Sequence, residues 1–182
     1  MMEKVILPPF KKRRTEDEIR KQCPWATLGR KGGRQPNIIT SLELDSAVME
    51  QNNLRFQKKY AEIEANEVRY EEYQTEDADY ILVAFGSSAR ICNKTVQLAR
   101  EQGIKVGILR PITLWPFPTK EIAKLADRTK GFLVAELNAG QMIEDVRLAV
   151  NGKVPVEHYG RMGGMLFSPD EILQALKEKV IK

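Results

Sequence analysis

The run Tyr80-Ile81-Leu82-Val83-Ala84-Phe85 constrains this chain more than any other stretch. Six apolar residues stop at Gly86-Ser87-Ser88, after which Ile91, Thr95, Leu98 and Ala99 follow at helical spacing. The short apolar run bounded by turn residues predicts a buried strand, and the new spacing predicts a helix behind a tight turn. The same alternation repeats. A strand over 104–109 ends in Arg110-Pro111-Ile112-Thr113-Leu114-Trp115-Pro116-Phe117-Pro118, and one over 132–137 ends in Asn138-Ala139-Gly140-Gln141. Strand, helix, strand, helix, strand predicts an α/β domain with a mostly parallel sheet between two helical layers.

Downstream, a fourth strand over 154–159 leads through Gly160-Arg161-Met162-Gly163-Gly164 to a last helix. That helix opens on Ser168-Pro169-Asp170-Glu171, which places Ser at the cap, Pro in the first turn and Glu at the reciprocal capping position. Ser87 or Ser88 is expected to cap the first helix, and Thr119 the second. Upstream, residues 41–73 contain neither proline nor glycine. Met49, Phe56, Tyr60, Ile63 and Tyr70 form one stripe on a predicted long helix with Ser41 at its start. So thin a stripe fits either packing on its own domain or a strut to a partner.

The net charge of +4 is uneven: residues 1–38 hold ten Lys/Arg against four Asp/Glu, leaving nineteen against twenty-one for the rest. The basic arm, with Lys11-Lys12-Arg13-Arg14, reads as a solvated linker rather than a nucleic-acid surface, because no aromatic rings interleave with the charges. Thr15 and Glu18 have capping-box spacing, Met1 to Leu7 forms a short amphipathic turn, and the glycine-bearing stretch 29–36 reads as a hinge. No apolar run approaches the roughly 20 residues of a membrane span, so a cytoplasmic protein is expected.

Two cysteines, Cys23 and Cys92, and one histidine, His158, are too few to assemble a zinc or iron–sulfur site. Both thiols are expected to be free, and no catalytic, cofactor-binding or metal-ligating residue is assigned.

Ligands and partners of an open parallel sheet meet the carboxyl ends of its strands. There stand Gly86-Ser87-Ser88-Ala89-Arg90, Arg110, Glu136 and His158. The first turn lacks the remaining glycines and the downstream acid of a dinucleotide fingerprint. Arg110 and Glu136 each close an apolar strand and are expected to form a structural ion pair if those strands are neighbours. His158 is expected to be a hydrogen-bonded structural residue. Trp115 and Phe117, held by Pro116 and Pro118, read as interface anchors on a stiff loop.

Gly86 after its strand, Leu109-Arg110-Pro111 with Leu114-Trp115-Pro116-Phe117-Pro118, and Glu136-Leu137-Asn138-Ala139-Gly140-Gln141 occur in that order. Together they resemble the C-terminal transketolase-like domain of 2-oxoacid:ferredoxin oxidoreductase alpha-type subunits, domain II of the pyruvate:ferredoxin oxidoreductase type. Pro8-Pro9-Phe10 and the long helix look most like the branched-chain type, acting on 3-methyl-2-oxobutanoate (2-oxoisovalerate), with the 2-oxoglutarate type as runner-up. A free-standing anion- or nucleotide-binding module is the alternative outside that family.

The resemblance implies an enzyme of anaerobic metabolism that decarboxylates a 2-oxoacid on thiamine diphosphate with Mg2+. Electrons then pass through iron–sulfur clusters to ferredoxin, and an acyl-CoA is left. In such enzymes the coenzyme sits between a pyrimidine-binding domain of the alpha subunit and a separate beta subunit. Residues 1–40 then read as a basic linker and the remnant of a pyrimidine-binding domain, 41–76 as a connecting helix and 77–182 as the transketolase-like domain. Met1 to Leu7 matches the helix that would end the missing domain, as in a truncated or mis-started subunit. The implied role is docking to the beta and iron–sulfur subunits and pairing of alpha-type domains. It falls on Arg110, Trp115, Pro116, Phe117, Pro118, Glu136, Asn138, Gly140 and Gln141.

Overall fold

The computed structural model describes residues 9–11, 14–26, 33 and 35–181. It divides into two compact units, one ending at Arg55 and one beginning at Phe56. In the first, α1 (Glu16–Gln22) starts with the predicted capping box, the Thr15 hydroxyl accepting from the Glu18 N–H at 3.2 Å. The expected turn at 1–7, the middle of the basic run and most of the glycine-bearing stretch lie outside the described residues.

Helix α2 (Ser46–Asn66) is shorter at both ends than its sequence suggests. Its cap is Asp45 rather than Ser41, with Oδ1 accepting from the N–H groups of Ala47 at 2.8 Å and Val48 at 3.2 Å. Its C-terminal continuation is a strand, β1 (Tyr70–Tyr73). The reason lies outside the segment. Arg69 donates its N–H to Thr113 Oγ1 at 3.0 Å, and its carbonyl accepts from the Ile112 N–H at 2.9 Å, so a distant strand end captures the backbone before the helix can extend.

The remaining elements are β2 (Tyr80–Val83), α3 (Gly86–Glu101), β3 (Val106–Pro111), α4 (Thr119–Ala126), β4 (Gly131–Glu136), α5 (Met142–Val150), β5 (Val156–Gly160) and α6 (Pro169–Leu176). The strand order is β1-β3-β2-β4-β5, with β1 antiparallel to β3 and every other pairing parallel. Side chains alternate across the sheet. Leu82, Ile108 and Leu133 pack in one core with residues of α3 and α6, while Ile81, Leu109, Phe132 and Val134 pack in another with residues of α4 and α5. Both faces are covered, as near-continuous apolar strands require. Cys92 is fully buried in the first core, Cys23 is half-buried in the N-terminal unit, and both are free thiols.

Two arginines fix the connection from β1 to β2. Arg100 donates to the carbonyls of Gln74 and Val106, each at 2.8 Å, and Arg128 to those of Thr75 and Glu76, each at 2.7 Å. The connection runs so close to β3 that a Cβ on Gly107 would stand 2.5 Å from the Gln74 carbonyl oxygen.

Candidate interface and sheet-edge site

The carboxyl ends of the four parallel strands lie along one edge, and their side chains meet differently from the pattern expected. Strand β2 runs between β3 and β4, so Arg110 and Glu136 are not on neighbouring strands. The ion pair expected between them does not form. Arg110 reaches the antiparallel strand instead, its guanidinium 2.7 Å from Glu71 Oε2.

Glu136 does something else. It is 1% exposed, and its carboxylate closes the start of α5. Oε1 accepts from the Met142 N–H at 2.8 Å and the Asn138 amide at 3.2 Å. Oε2 accepts from Gln141 and Ile143, each at 3.2 Å. A negative charge on three consecutive N–H groups at a helix start satisfies donors that lack intrahelical partners and opposes the positive dipole end. Asn138 completes the loop by accepting from the Gly140 N–H at 2.7 Å. Gly140 has φ +109°, a backbone conformation open to glycine, and it is Gly160 whose absent side chain makes room for the His158 ring, since a Cβ there would stand 2.5 Å from His158 Cε1.

His158 sits one strand away on the same face. Its Nε2 is buried and has no hydrogen-bond partner in the protein; Glu136 Oε2 is 3.7 Å away. The expected hydrogen-bonded histidine is therefore a histidine held by packing. Burial lowers its pKa, with Lys179 and Arg147 acting in the same sense and Glu136 against it. Burial, then the charges of Glu136 and Glu144, push the Asp145 carboxyl up.

Neither Ser87 nor Ser88 caps α3, whose N-cap is Phe85, and Thr119 is the first residue of α4 rather than its cap. Both expectations assumed a hydroxyl just ahead of the helix. Helix α3 instead starts at Gly86, whose φ of +56° turns the chain into it, and α4 starts at Thr119, so each hydroxyl falls inside its helix.

The loop after β3 divides its residues between core and surface. Pro116 and Pro118 are buried, and Phe117 packs half-buried against the α4/α5 core. Trp115 is 55% exposed, its ring edge-on to Tyr60 of α2 at 5.7 Å between centroids. Ile112 and Leu114 are exposed beside it. Tyr60 and Glu71 are the partners that the sequence reading missed, since each is distant in the chain from the residue it meets. Between the loop and the end of α2 lies an open groove of about 600 Å³, lined by Ala61, Glu64, Ala65 and Val68 on one side and by Trp115, Phe117, Lys120 and Glu121 on the other.

Among the described residues, no cluster of three or more His, Cys, Asp or Glu side chains is arranged to hold a metal ion. With one thiol in the core and the other in the N-terminal unit, the donor set does not fit an iron–sulfur cluster. No helix among the described residues is long and apolar enough to cross a membrane.

Comparison with known proteins agrees with this architecture. The family model for pyruvate:ferredoxin oxidoreductase core domain II matches residues 78–172. Ketoisovalerate oxidoreductase subunit VorB of Methanothermobacter thermautotrophicus is 45% identical over 161 residues, covering 88% of this chain and 45% of that relative. The 2-oxoglutarate synthase subunit KorA of Methanothermobacter marburgensis is 36% identical over 102 residues, covering 56% of this chain and 27% of that protein. The chain thus spans less than half the length of these relatives. In structure it resembles the 2-oxoglutarate:ferredoxin oxidoreductase from Magnetococcus marinus, solved with 2-oxoglutarate, coenzyme A and succinyl-CoA bound. The TM-score is 0.64 at 22% identity, over 84% of this chain and 28% of that one. The chain belongs to the pyruvate:ferredoxin oxidoreductase core domain II family.

Proposed function

We propose that the chain serves a 2-oxoacid:ferredoxin oxidoreductase as a contact-making portion of an alpha-type subunit, in an enzyme for a branched-chain 2-oxoacid such as 3-methyl-2-oxobutanoate. The observation that carries this reading is the 45% identity to ketoisovalerate oxidoreductase subunit VorB across 88% of the chain. The 2-oxoglutarate type is the weaker reading, since likeness to subunit KorA extends over 56% of the chain. The reaction would be oxidative decarboxylation to an acyl-CoA with reduction of ferredoxin.

Thiamine diphosphate, Mg2+ and the iron–sulfur clusters would be held by other parts of the complex; for the metals, no His, Cys, Asp or Glu cluster among the described residues is arranged to hold an ion. What this chain offers is surface. The Glu136–Asn138–Gly140 loop is held at the sheet edge by hydrogen bonds and ends in the exposed Gln141, Arg110 is half-buried beside Glu71, and Trp115 stands out on a loop pinned by buried Pro116, Pro118 and half-buried Phe117. Large rings on a preorganised loop have the composition of interface anchors.

Co-expression with thiamine diphosphate-binding and iron–sulfur subunits of a branched-chain enzyme tests the reading. A complex that survives gel filtration is expected, with Trp115→Ala weakening it at least about tenfold. Titration of the chain alone with thiamine diphosphate should release no binding heat. Micromolar binding, or no association with any such subunit, would refute the proposal.

A further inference from the structure

The loop from Gly160 to Phe167 joins β5 to α6 and is held at both ends. Arg161 donates its N–H to the Glu136 carbonyl at 3.2 Å and places its guanidinium 3.3 Å from Glu171 Oε1. Gly160 runs so close to the loop after β4 that a Cβ on it would collide with the Asn138 carbonyl. At the other end Phe167 is 3% exposed in the core with α3 and α6, its ring 6.0 Å from that of Tyr159. Between these anchors the chain turns back on itself. The Met165 N–H donates to the Met162 carbonyl at 3.3 Å, and the residues inside the turn, Gly163 and Gly164, have φ of +66° and +85°. Glycine takes positive φ at both positions without steric cost. The turn therefore sets Met162 and Met165 at its two ends, with Leu166 exposed beside them.

Among the described residues methionine stands at 49, 142, 162 and 165, and access to solvent separates them. Met142 is 4% exposed and Met49 is half-buried, whereas Met162 is 60% and Met165 55% exposed. A thioether is oxidised where a peroxide can reach it. The thiol of Cys92 offers no competition, because it is fully buried and burial pushes its pKa far up, which removes the reactive thiolate. We propose that Met162 and Met165 form a hydrogen peroxide-sensitive modification site, and that their conversion to sulfoxides weakens the association of this sheet edge with partner subunits.

At each sulfur a lone pair attacks one peroxide oxygen. An S–O bond forms as the O–O bond breaks, a proton passes to the departing oxygen, and water leaves. Sulfur gives up two electrons and the peroxide accepts them, so the pair consumes two peroxides and releases two waters. Flexible apolar side chains become polar ones. Because both stand on an exposed turn, the core is untouched and the change falls on the surface. Two S=O dipoles then lie next to the Glu136–Asn138–Gly140 loop, against which Gly160 and Arg161 pack. A subunit covering that edge has to strip water from them, and each one left without a donor is costly.

The effect on association rests on reading the sheet edge as a contact surface, whereas the site itself is read by mass alone. In about 1 mM hydrogen peroxide the tryptic peptide carrying Met162 and Met165 should gain two oxygens at least about tenfold faster than the peptide carrying Met142 gains one, with circular dichroism of the full chain unchanged. The oxidised chain should bind a thiamine diphosphate-binding subunit at least about tenfold more weakly than the untreated chain. Methionine sulfoxide reductases acting on both sulfoxide epimers should restore it. The double variant Met162→Leu with Met165→Leu should bind equally before and after peroxide. Oxidation of these methionines no faster than that of Met142, full binding by the oxidised chain, or a loss that persists in the double variant overturns the proposal. If the untreated chain associates with no such subunit, the contact reading fails and the effect on association fails with it, while the modification site stands or falls by the mass spectra.

Discussion

Glu136 looks like half of an ion pair in the sequence and is a helix cap in the structure. A buried carboxylate with donors on both oxygens is balanced by hydrogen bonds rather than by a cation, and three of those donors are the N–H groups of the cap residue Gln141 and the first two residues of α5. Glu136→Gln keeps the shape, removes the charge and turns an NH2 group toward N–H donors. The expected loss is about 2–3 kcal/mol in urea unfolding, and a loss below about 0.5 kcal/mol would show that the carboxylate is not the cap. His158 supplies the pH dependence nearby. Its folded pKa is lowered, chiefly by burial, so the unfolded chain takes up a proton that the folded chain refuses. Its contribution is complete above the ordinary value of 6.5 and declines as pH falls below it. There is no other histidine to blur that window. The urea midpoint should therefore drop from about pH 7 to about pH 5.5, and His158→Gln should flatten the difference. An equal slope in the variant would assign the effect elsewhere.

Legibility varied among elements for physical reasons. The strands at 80–83, 131–136 and much of 106–111 could be read because burial on both faces demands unbroken apolar runs. Helix α6 could be read because Ser168, Pro169 and Glu171 write its start in local chemistry. Strand β1 could not. Tyr70-Glu71-Glu72-Tyr73 is exposed at every position, carries no alternation of apolar and polar residues, and takes its form from pairing with β3. Without β1 the partner of Arg110 was invisible, and without the strand order Glu136 seemed within its reach. The connection leaving β1 is held by Arg100 of α3 and by Arg128 of the turn after α4, at the point where it crosses Gly107. Gly107→Ala would drive a methyl group onto the backbone of Gln74, whose carbonyl Arg100 holds while Arg128 holds those of Thr75 and Glu76. A loss of at least about 2 kcal/mol by calorimetry is expected. A neutral substitution would mean that the connection yields and the arginine clamp is loose.

At the scale of the whole molecule, stability and contact are assigned to different parts of the chain. Every buried hydrophobic residue among the described ones lies at Ala78 or beyond, while α1 and α2 contain no buried residue. Burial of apolar surface is the dominant favourable contribution to folding, so the N-terminal unit should add little to the free energy of the sheet domain. Its side chains tell the same story from the other side, with Phe10, Ile38, Ile39, Leu42 and Leu44 all more than two-thirds exposed. Such a density of bare apolar groups is costly in water and characteristic of segments that pack on something else. A chain beginning at Phe56 should accordingly unfold within about 2 °C of the full chain in a dilute calorimetric scan, since about 1 kcal/mol would move a domain of this size by only a few degrees. A large fall in the dilute midpoint would place part of the core before residue 56.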